Sequence, residues 1–313
     1  MQKRALPWEL LGAVVGAGLA SGREVAAFFG RYGWLGFAGV GAAAGMLLLL
    51  GSARMPCAWA GRWPERLWRV VLALLLIATG GAMLAASGEV AALALPLHGA
   101  RWLGMGATVL LACLLARRTV SGLMRVSQAM LALLAGLLLL GLTLPPMRAA
   151  ALTEASLPAA LLKGAAYGGF NAALMFPVMA DERSLGEEER RRALGTACCM
   201  AAALLAAGNA LLLRHPALVG EALPFVRMTA AMGPAGYLLS AASLYFSILT
   251  TLTVCIRSSG GRAWPLVGIV LTALLGFSGV VDAVYPLLGG VCAAMLALMH
   301  LQQKITQACK QKT

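Results

Sequence analysis

The stretch Leu11-Gly-Ala-Val-Val-Gly-Ala-Gly-Leu-Ala-Ser-Gly-Arg-Glu24 decides how the rest of the chain is read. It begins as an apolar helix of the kind that crosses a bilayer. It then meets Gly16, Gly18 and Gly22, a serine, and an Arg-Glu pair. In lipid there is no water to pair a free backbone N–H or C=O, so a spanning helix keeps these groups bonded within itself. Glycine weakens that ladder. A segment that invites a break in mid-membrane is either a close-packing seam or a binding site. Gly12-x-x-x-Gly16 and Gly18-x-x-x-Gly22 do fit the small-xxx-small packing pattern. The site reading gains weight only from what lies further along the chain.

Working outward, the whole chain has membrane character. Of its 313 residues 60% are hydrophobic and 12% charged, too little charge to cover a soluble globule. Apolar runs of transmembrane length recur from end to end, and no soluble domain is left over. The net charge of +13 is not a nucleic-acid signature, because the basic residues sit in alternate loops. The seven cysteines mostly lie within apolar runs and read as small buried hydrophobes. Lys3-Arg4 before an apolar run resembles a secretory leader. The topology works with this segment kept as the first span.

The apolar runs give ten spans. Span one covers about Trp8 to Phe29, span two Trp34 to Leu50, span three Leu67 to Ala92 and span four Ala100 to Ala116. Span five enters near Arg125 and ends near Leu144, where Pro145-Pro146 stops it. Span six covers Leu157 to Ala180 and span seven Ala193 to Leu213, with the charged run Asp181 to Arg192 between them as a solvated segment. Pro216 to Pro234 reads as an outer loop with a short helix. Spans eight, nine and ten cover Gly236 to Ile256, Trp264 to Gly279 and Ala283 to Met299. With the N-terminus inside, eighteen of the 25 Lys and Arg residues fall in cytoplasmic segments and five in outer ones. The positive-inside rule therefore places both termini in the cytoplasm.

Span six carries a second unusual stretch, Tyr167-Gly-Gly-Phe-Asn-Ala-Ala-Leu-Met-Phe-Pro177. Gly168-Gly169 and Pro177 predict an interruption, and Asn171 sets an amide in mid-membrane. Spans one and six are matching members of two oppositely oriented five-span halves, about 6–145 and 155–302. Interrupted spans at matching positions point to a transporter site built from inverted repeats. The expected fold is all-α integral membrane, ten transmembrane helices as a 5+5 inverted repeat with spans one and six interrupted. Exposed half-helix N–H groups suit a substrate carboxylate, and exposed carbonyls suit Na+. The candidate substrate-binding residues are Gly16, Ala17, Gly18, Ser21 and Gly22, with Tyr167, Gly168, Gly169, Phe170 and Asn171. Gly16 to Gly18 is the expected unwound hinge.

Val14 to Glu24 with Phe28-Phe29, Tyr167 to Pro177, and Gly276 to Gly289 together resemble segments of the YkvI family of bacterial membrane proteins. The likeness extends over nearly the whole chain. It implies membership of the amino acid–polyamine–organocation transporter superfamily and a LeuT-like fold in the bacterial cell membrane. This chain departs from the family pattern at Arg23, where a Gln is usual. Ser247, Thr250 and Thr251 share one face of span eight. By resemblance to sodium-coupled members of the fold, Thr250 and Thr251 would join the carbonyls of Gly12 and Val15 in a Na+ site. The competing role of such hydroxyls is bonding to their own helix or gluing helices together.

Five intramembrane charges remain: Arg23, Glu24, Glu89, Lys163 and Asp282. Charge in a span is costly and functional by default. All five fall toward the outer halves of their spans, as a vestibule or gate, or as static ion pairs at the water interface. Glu24 is the residue for proton coupling if Na+ is not used. The expected function is secondary active transport of a small solute, an amino acid or amine. The alternative is a receptor or scaffold that binds such a solute without moving it. No acid pair, His-Asp pair or metal-ligand cluster points to an enzyme, and no motif points to a cofactor beyond Na+ as coupling ion. The expected partners are the small-molecule substrate and the lipid bilayer, with no nucleic acid; nothing in the sequence speaks to oligomeric state.

Overall fold

The computed structural model describes residues 6–14, 16–51, 62–117, 121–146, 156–181, 186–258 and 263–310. Among them there are helices and no strand. The first span is three pieces: α1 (Leu6–Val14), α2 (Ala17–Ser21) and α3 (Arg23–Phe28). A 3-10 turn, Gly30–Leu35, leads into α4 (Gly36–Gly51). Next come α5 (Arg62–Ala94), α6 (Ala100–Ala116), α7 (Ser121–Gly141), α8 (Leu157–Asp181) and α9 (Glu187–Arg214). The segment between α9 and α11 carries a 3-10 turn, Pro216–Gly220, and α10 (Pro224–Ala230). The chain closes with α11 (Pro234–Ser258), α12 (Ala263–Ala273), α13 (Phe277–Gly279), a π-helical turn at Val280–Val284, and α14 (Tyr285–Lys310).

The protein is a multi-pass membrane protein. Five of the described segments are long and apolar enough to cross a bilayer: Gly30–Leu50, Pro64–Ala94, Glu187–Arg214, Pro234–Ser258 and Phe277–Gln302. Ala100–Ala116, Leu131–Gly141 and Ala263–Ala273 are shorter apolar helices. Leu103, Leu110 and Leu114 of α6, Leu162 of α8, Leu238 of α11 and Leu271 of α12 stand exposed on the outside. So much exposed apolar surface is at home only against lipid.

The helices sort by packing into two groups. In one, α4 lies along α8 and α9, and α1 lies along α8 and α9. In the other, α5 lies along α6, α11 and α12, and α6 also meets α11. The short segment α2 contacts α11 and α5, so the first span lies between the groups. Glycines set the closeness within the first group. Gly164 of α8 faces the backbone of Gly39 so tightly that a Cβ there collides with the Gly39 carbonyl. Such contacts replace the hydrophobic driving force that helices in lipid lack.

Three expectations change. The hinge expected at Gly16 to Gly18 is instead a pair of breaks at Gly16 and Gly22, with Ala17 and Gly18 helical between them. Span six is not interrupted: α8 runs unbroken through Gly168, Gly169 and Pro177. Gly168 and Gly169 serve packing instead. A Cβ on Gly168 meets the Ala43 carbonyl oxygen at 2.7 Å, and one on Gly169 meets the Gly289 carbonyl oxygen at 2.7 Å. The second irregularity lies in the last span. Gly276, at φ 76, turns the chain after α12, so span ten starts at Phe277 and not at Ala283. Pro286 has no N–H to donate to the carbonyl of Asp282, which accounts for the widened turn at Val280–Val284.

Candidate functional site at the first-span break

The first span breaks twice. Gly16 is extended (φ −60, ψ −174), and its carbonyl accepts the N–H groups of Leu19 and Ala20 at 3.2 and 3.3 Å. Six residues later Gly22 adopts φ 83, a left-handed conformation that costs other residues about 1–2 kcal/mol. Ser21 stitches this second break: its hydroxyl donates to the Gly18 carbonyl at 2.7 Å and accepts the Arg23 N–H at 3.0 Å. The Phe225 ring of α10 packs on Gly22. The result is a short segment, α2, held between two hinges.

Beside α2 lies a buried polar cluster. The Glu24 side chain folds back onto Gly18, leaving no room for a methyl group between them, and is 5% exposed. Across from it, on α8, the Tyr167 hydroxyl faces the carboxyl without closing a hydrogen bond of normal geometry. Phe28 and Phe29 both present their rings edge-on to Tyr167, with centroids 5.2 Å away. Asn171 donates to the Tyr167 carbonyl at 3.0 Å. Tyr285 of α14 stacks on Phe170 at 4.4 Å, feels the Glu24 charge, and turns its hydroxyl toward Thr79 of α5.

One turn further out lies a cluster of charges. Arg23 is 4% exposed; its Nη2 donates to Asp282 Oδ2 at 2.5 Å. Its Nη1 donates to the carbonyls of Val219, Gly220 and Glu221 at 3.3, 3.4 and 3.0 Å. Arg31 donates to the same Asp282 oxygen at 2.5 Å. Lys163 lies within electrostatic reach of Arg31 and Asp282, and its Nζ sits 6.0 Å over the Phe28 ring. Two arginines thus hold one carboxylate with Lys163 in reach, and Arg23 ties the first span, the last span and the segment just before α10 together.

The other expected residues fall into place as follows. Ala17 lies on α2; Gly168, Gly169 and Phe170 lie in the α8 seams already described. Glu89 stands apart and pairs with Arg101 of α6 at 2.8 Å. Of the oxygen donors expected for Na+, Thr251 lies at the break, its Oγ1 4.0 Å from where a Gly16 Cβ would stand. Thr250 donates to the Phe246 carbonyl of its own helix at 2.8 Å. Ser247 is half-buried, Gly12 sits on an exposed position of α1, and Val15 lies outside the described residues. Among the described residues no group of His, Cys, Asp and Glu has metal-site geometry.

Sequence reasoning missed four participants: Arg31, Tyr285, the carbonyls of Val219–Glu221, and Asn209. Asn209 is fully buried on α9 and donates to the Gly33 carbonyl at 3.3 Å, fixing the turn that follows the first span. A lone Asn in an apolar run was the available signal. Tyr285 beside Pro286 also stood out, but backbone carbonyls carry no signature in a sequence.

Fold and site define an all-helical, multi-pass membrane protein with a broken first helix and a buried acid beside the break. The chain is similar to a membrane protein of Bacillus subtilis (strain 168), described as uncharacterized membrane protein YkvI, at 48% identity over 50 residues. That match covers 16% of this chain and 14% of the relative. No family model matches the chain.

Proposed function

We propose that the protein is a secondary active transporter that moves a small solute, an amino acid or amine, by alternating access coupled to Na+ or H+. The observation that carries this is the doubly broken first span lying between two helix groups. A segment hinged at Gly16 and Gly22 can tilt with one group against the other, opening the site to either side in turn. The pairings support a 5+5 inverted repeat of LeuT type. Exchanging span numbers n and n+5 turns the α4–α8 contact into α9–α1, and the α5–α12 contact into α11–α6, and all four occur. In this reading, ten spans lie in the bacterial cytoplasmic membrane with both termini inside.

The substrate site comprises Gly16, Ala17, Gly18, Ser21 and Gly22 with Tyr167, Phe170 and Asn171. Arg23, Asp282, Arg31 and Lys163 form the outer gate. The latch between Arg23, Asp282 and the Val219–Glu221 carbonyls describes a site closed to the outside.

The test has two stages. A thermal-shift screen in detergent against amino acids and amines, with and without Na+, finds ligands, because a ligand of the native state raises apparent stability by mass action. Reconstitution then separates transport from reception. Accumulation of the labelled hit under an ion gradient supports the transporter; binding without uptake supports a receptor with a transporter fold. Failure of every solute to shift stability contradicts the reading.

A further inference from the structure

Glu24 is an acid without a counter-charge among the described residues. It sits in the first span at 5% exposure, and among the described residues no Lys, Arg or His pairs with it. Its neighbour Arg23 is committed to Asp282 and to the loop carbonyls. The titratable groups that face it are two phenols, Tyr167 from α8 and Tyr285 from α14. The other elements packed on α3 bring no further counter-charge to the carboxyl. α2 and the Pro216–Gly220 turn carry no titratable side chain, and α9 presents Gly208 and Leu212 to Val25 and Gly30. The Gly30–Leu35 turn bears Tyr32 and Arg31, and the turn at Val280–Val284 bears Asp282; Arg31, Asp282 and Lys163 belong to the outer cluster.

An ionised carboxylate buried in this way costs several kcal/mol unless it is neutralised. The Tyr167 hydroxyl faces it as a donor but closes no hydrogen bond of normal geometry, so burial is not offset. The contact with Gly18 is too close for an ammonium or a hydrated ion to stand between. A proton fits there without parting Glu24 from Gly18.

We propose that Glu24 is a proton-binding carboxyl and that its proton holds the α2 hinge shut. Protonated, Glu24 lies on Gly18 and clamps α2 to α3. When the proton leaves to water, the carboxylate cannot stay among the rings. Its nearest compensation is the outer cluster, where Arg23, Arg31 and Lys163 share the single Asp282. Swinging there takes the side chain off Gly18, frees α2 between Gly16 and Gly22, and competes with Asp282 for Arg23, loosening the gate. One titration then moves both hinge and gate. This deepens the transporter reading by naming H+ as the coupling ion, and it rests on that reading for the step from hinge motion to transport.

Infrared spectroscopy of the full chain in lipid bilayers, with no solute added, tests it. An ordinary Glu titrates near about 4.3 and is ionised at neutral pH. The wild type should show a protonated-carboxyl C=O band at neutral pH, and Glu24→Gln should lose it. Glu24→Asp, which keeps a carboxyl, should keep a band at a shifted frequency. Hydrogen exchange supplies the second arm. Raising the pH past loss of the band should speed exchange of the Gly16–Gly22 amides beyond the chemical pH dependence in the wild type but not in Glu24→Gln. A wild type with no such band at neutral pH, or one unchanged in Glu24→Gln, overturns the proposal. So does hinge exchange that rises equally in both proteins. Because no solute is involved, a protein that proves to be a receptor can still pass this test, and a transporter can still fail it.

Discussion

Replacing Asp282 with Asn removes the charge that Arg23 and Arg31 share and keeps the shape of the side chain. Arg23 is 4% exposed and donates to Asp282 at 2.5 Å. A hydrogen bond to a charged partner contributes about 1.5–3 kcal/mol, and stripping one partner from a fully buried pair costs about 3–5 kcal/mol. Two features place this pair at the low end. The Asp282 side chain is 24% exposed, so water takes up part of the loss, and Arg23 keeps its three carbonyl acceptors. The expected cost is about 2 kcal/mol. Arg31 is 44% exposed, and a surface pair of that kind is worth about 0–1 kcal/mol. Thermal unfolding in detergent, followed by tryptophan fluorescence, reads both. At roughly 2 °C per kcal/mol for a chain of this size, Asp282→Asn should lower Tm by about 4 °C and Arg31→Ala by no more than about 2 °C. Asp282→Asn combined with Arg23→Gln should cost less than the sum of the two, since both remove one contact. A Tm unmoved by Asp282→Asn, or an Arg31→Ala loss as large, refutes the latch.

Three further outcomes are expected. Gly164→Ala forces a methyl group against the Gly39 carbonyl, and overpacking of this sort costs about 1–3 kcal/mol, whereas Gly41→Ala meets open space and should leave Tm unchanged. His215, just past α9 in the outer loop, is 2% exposed with neither ring nitrogen bonded, and burial followed by the Arg214 charge holds its pKa below 6.5. The folded protein therefore binds this proton less readily than the unfolded chain, so stability present above about pH 6.5 is lost as the pH falls toward the folded value; Tm measured against pH should drop less steeply in His215→Asn. Thr250→Val should leave any Na+-dependent thermal shift intact, because of the two threonines only Thr251 presents its hydroxyl within 4.0 Å of the Gly16 position, while Thr251→Val should reduce it.

Local punctuation in the sequence reported local structure well. The span from Ala100 to Ala116 is α6 residue for residue, and of the glycines in Leu11–Glu24, Gly16 and Gly22 break the first helix while Gly12 and Gly18 lie within helical pieces. The Gly168-Gly169 pair shows where such reading ends. A glycine that lets a helix break and a glycine that lets another backbone approach look alike in one dimension; here the partners are Ala43 and Gly289, far away in the chain. Charge pairing has the same limit. Arg23 and Asp282 were both marked as intramembrane charges, yet their union across 259 positions depends on how the first and last spans meet. Glu89, marked with them, finds its partner locally in Arg101. The turn at Val280–Val284 was missed because Pro286, at the head of an apolar run, was read as lying within an ordinary span.

If the first-span break is a site through which a solute moves, transport must depend on the residues that line it. The most direct test is uptake of the thermal-shift hit by proteoliposomes under an imposed ion gradient, comparing wild type with Asn171→Leu. Asn171 is buried and its amide donates to the Tyr167 carbonyl of its own helix, so the variant should fold while removing the amide from the proposed site. The wild type should accumulate the solute above equilibrium, and this should vanish when the gradient is collapsed and in Asn171→Leu. Saturable binding with no accumulation, or uptake indifferent to Asn171, would contradict it.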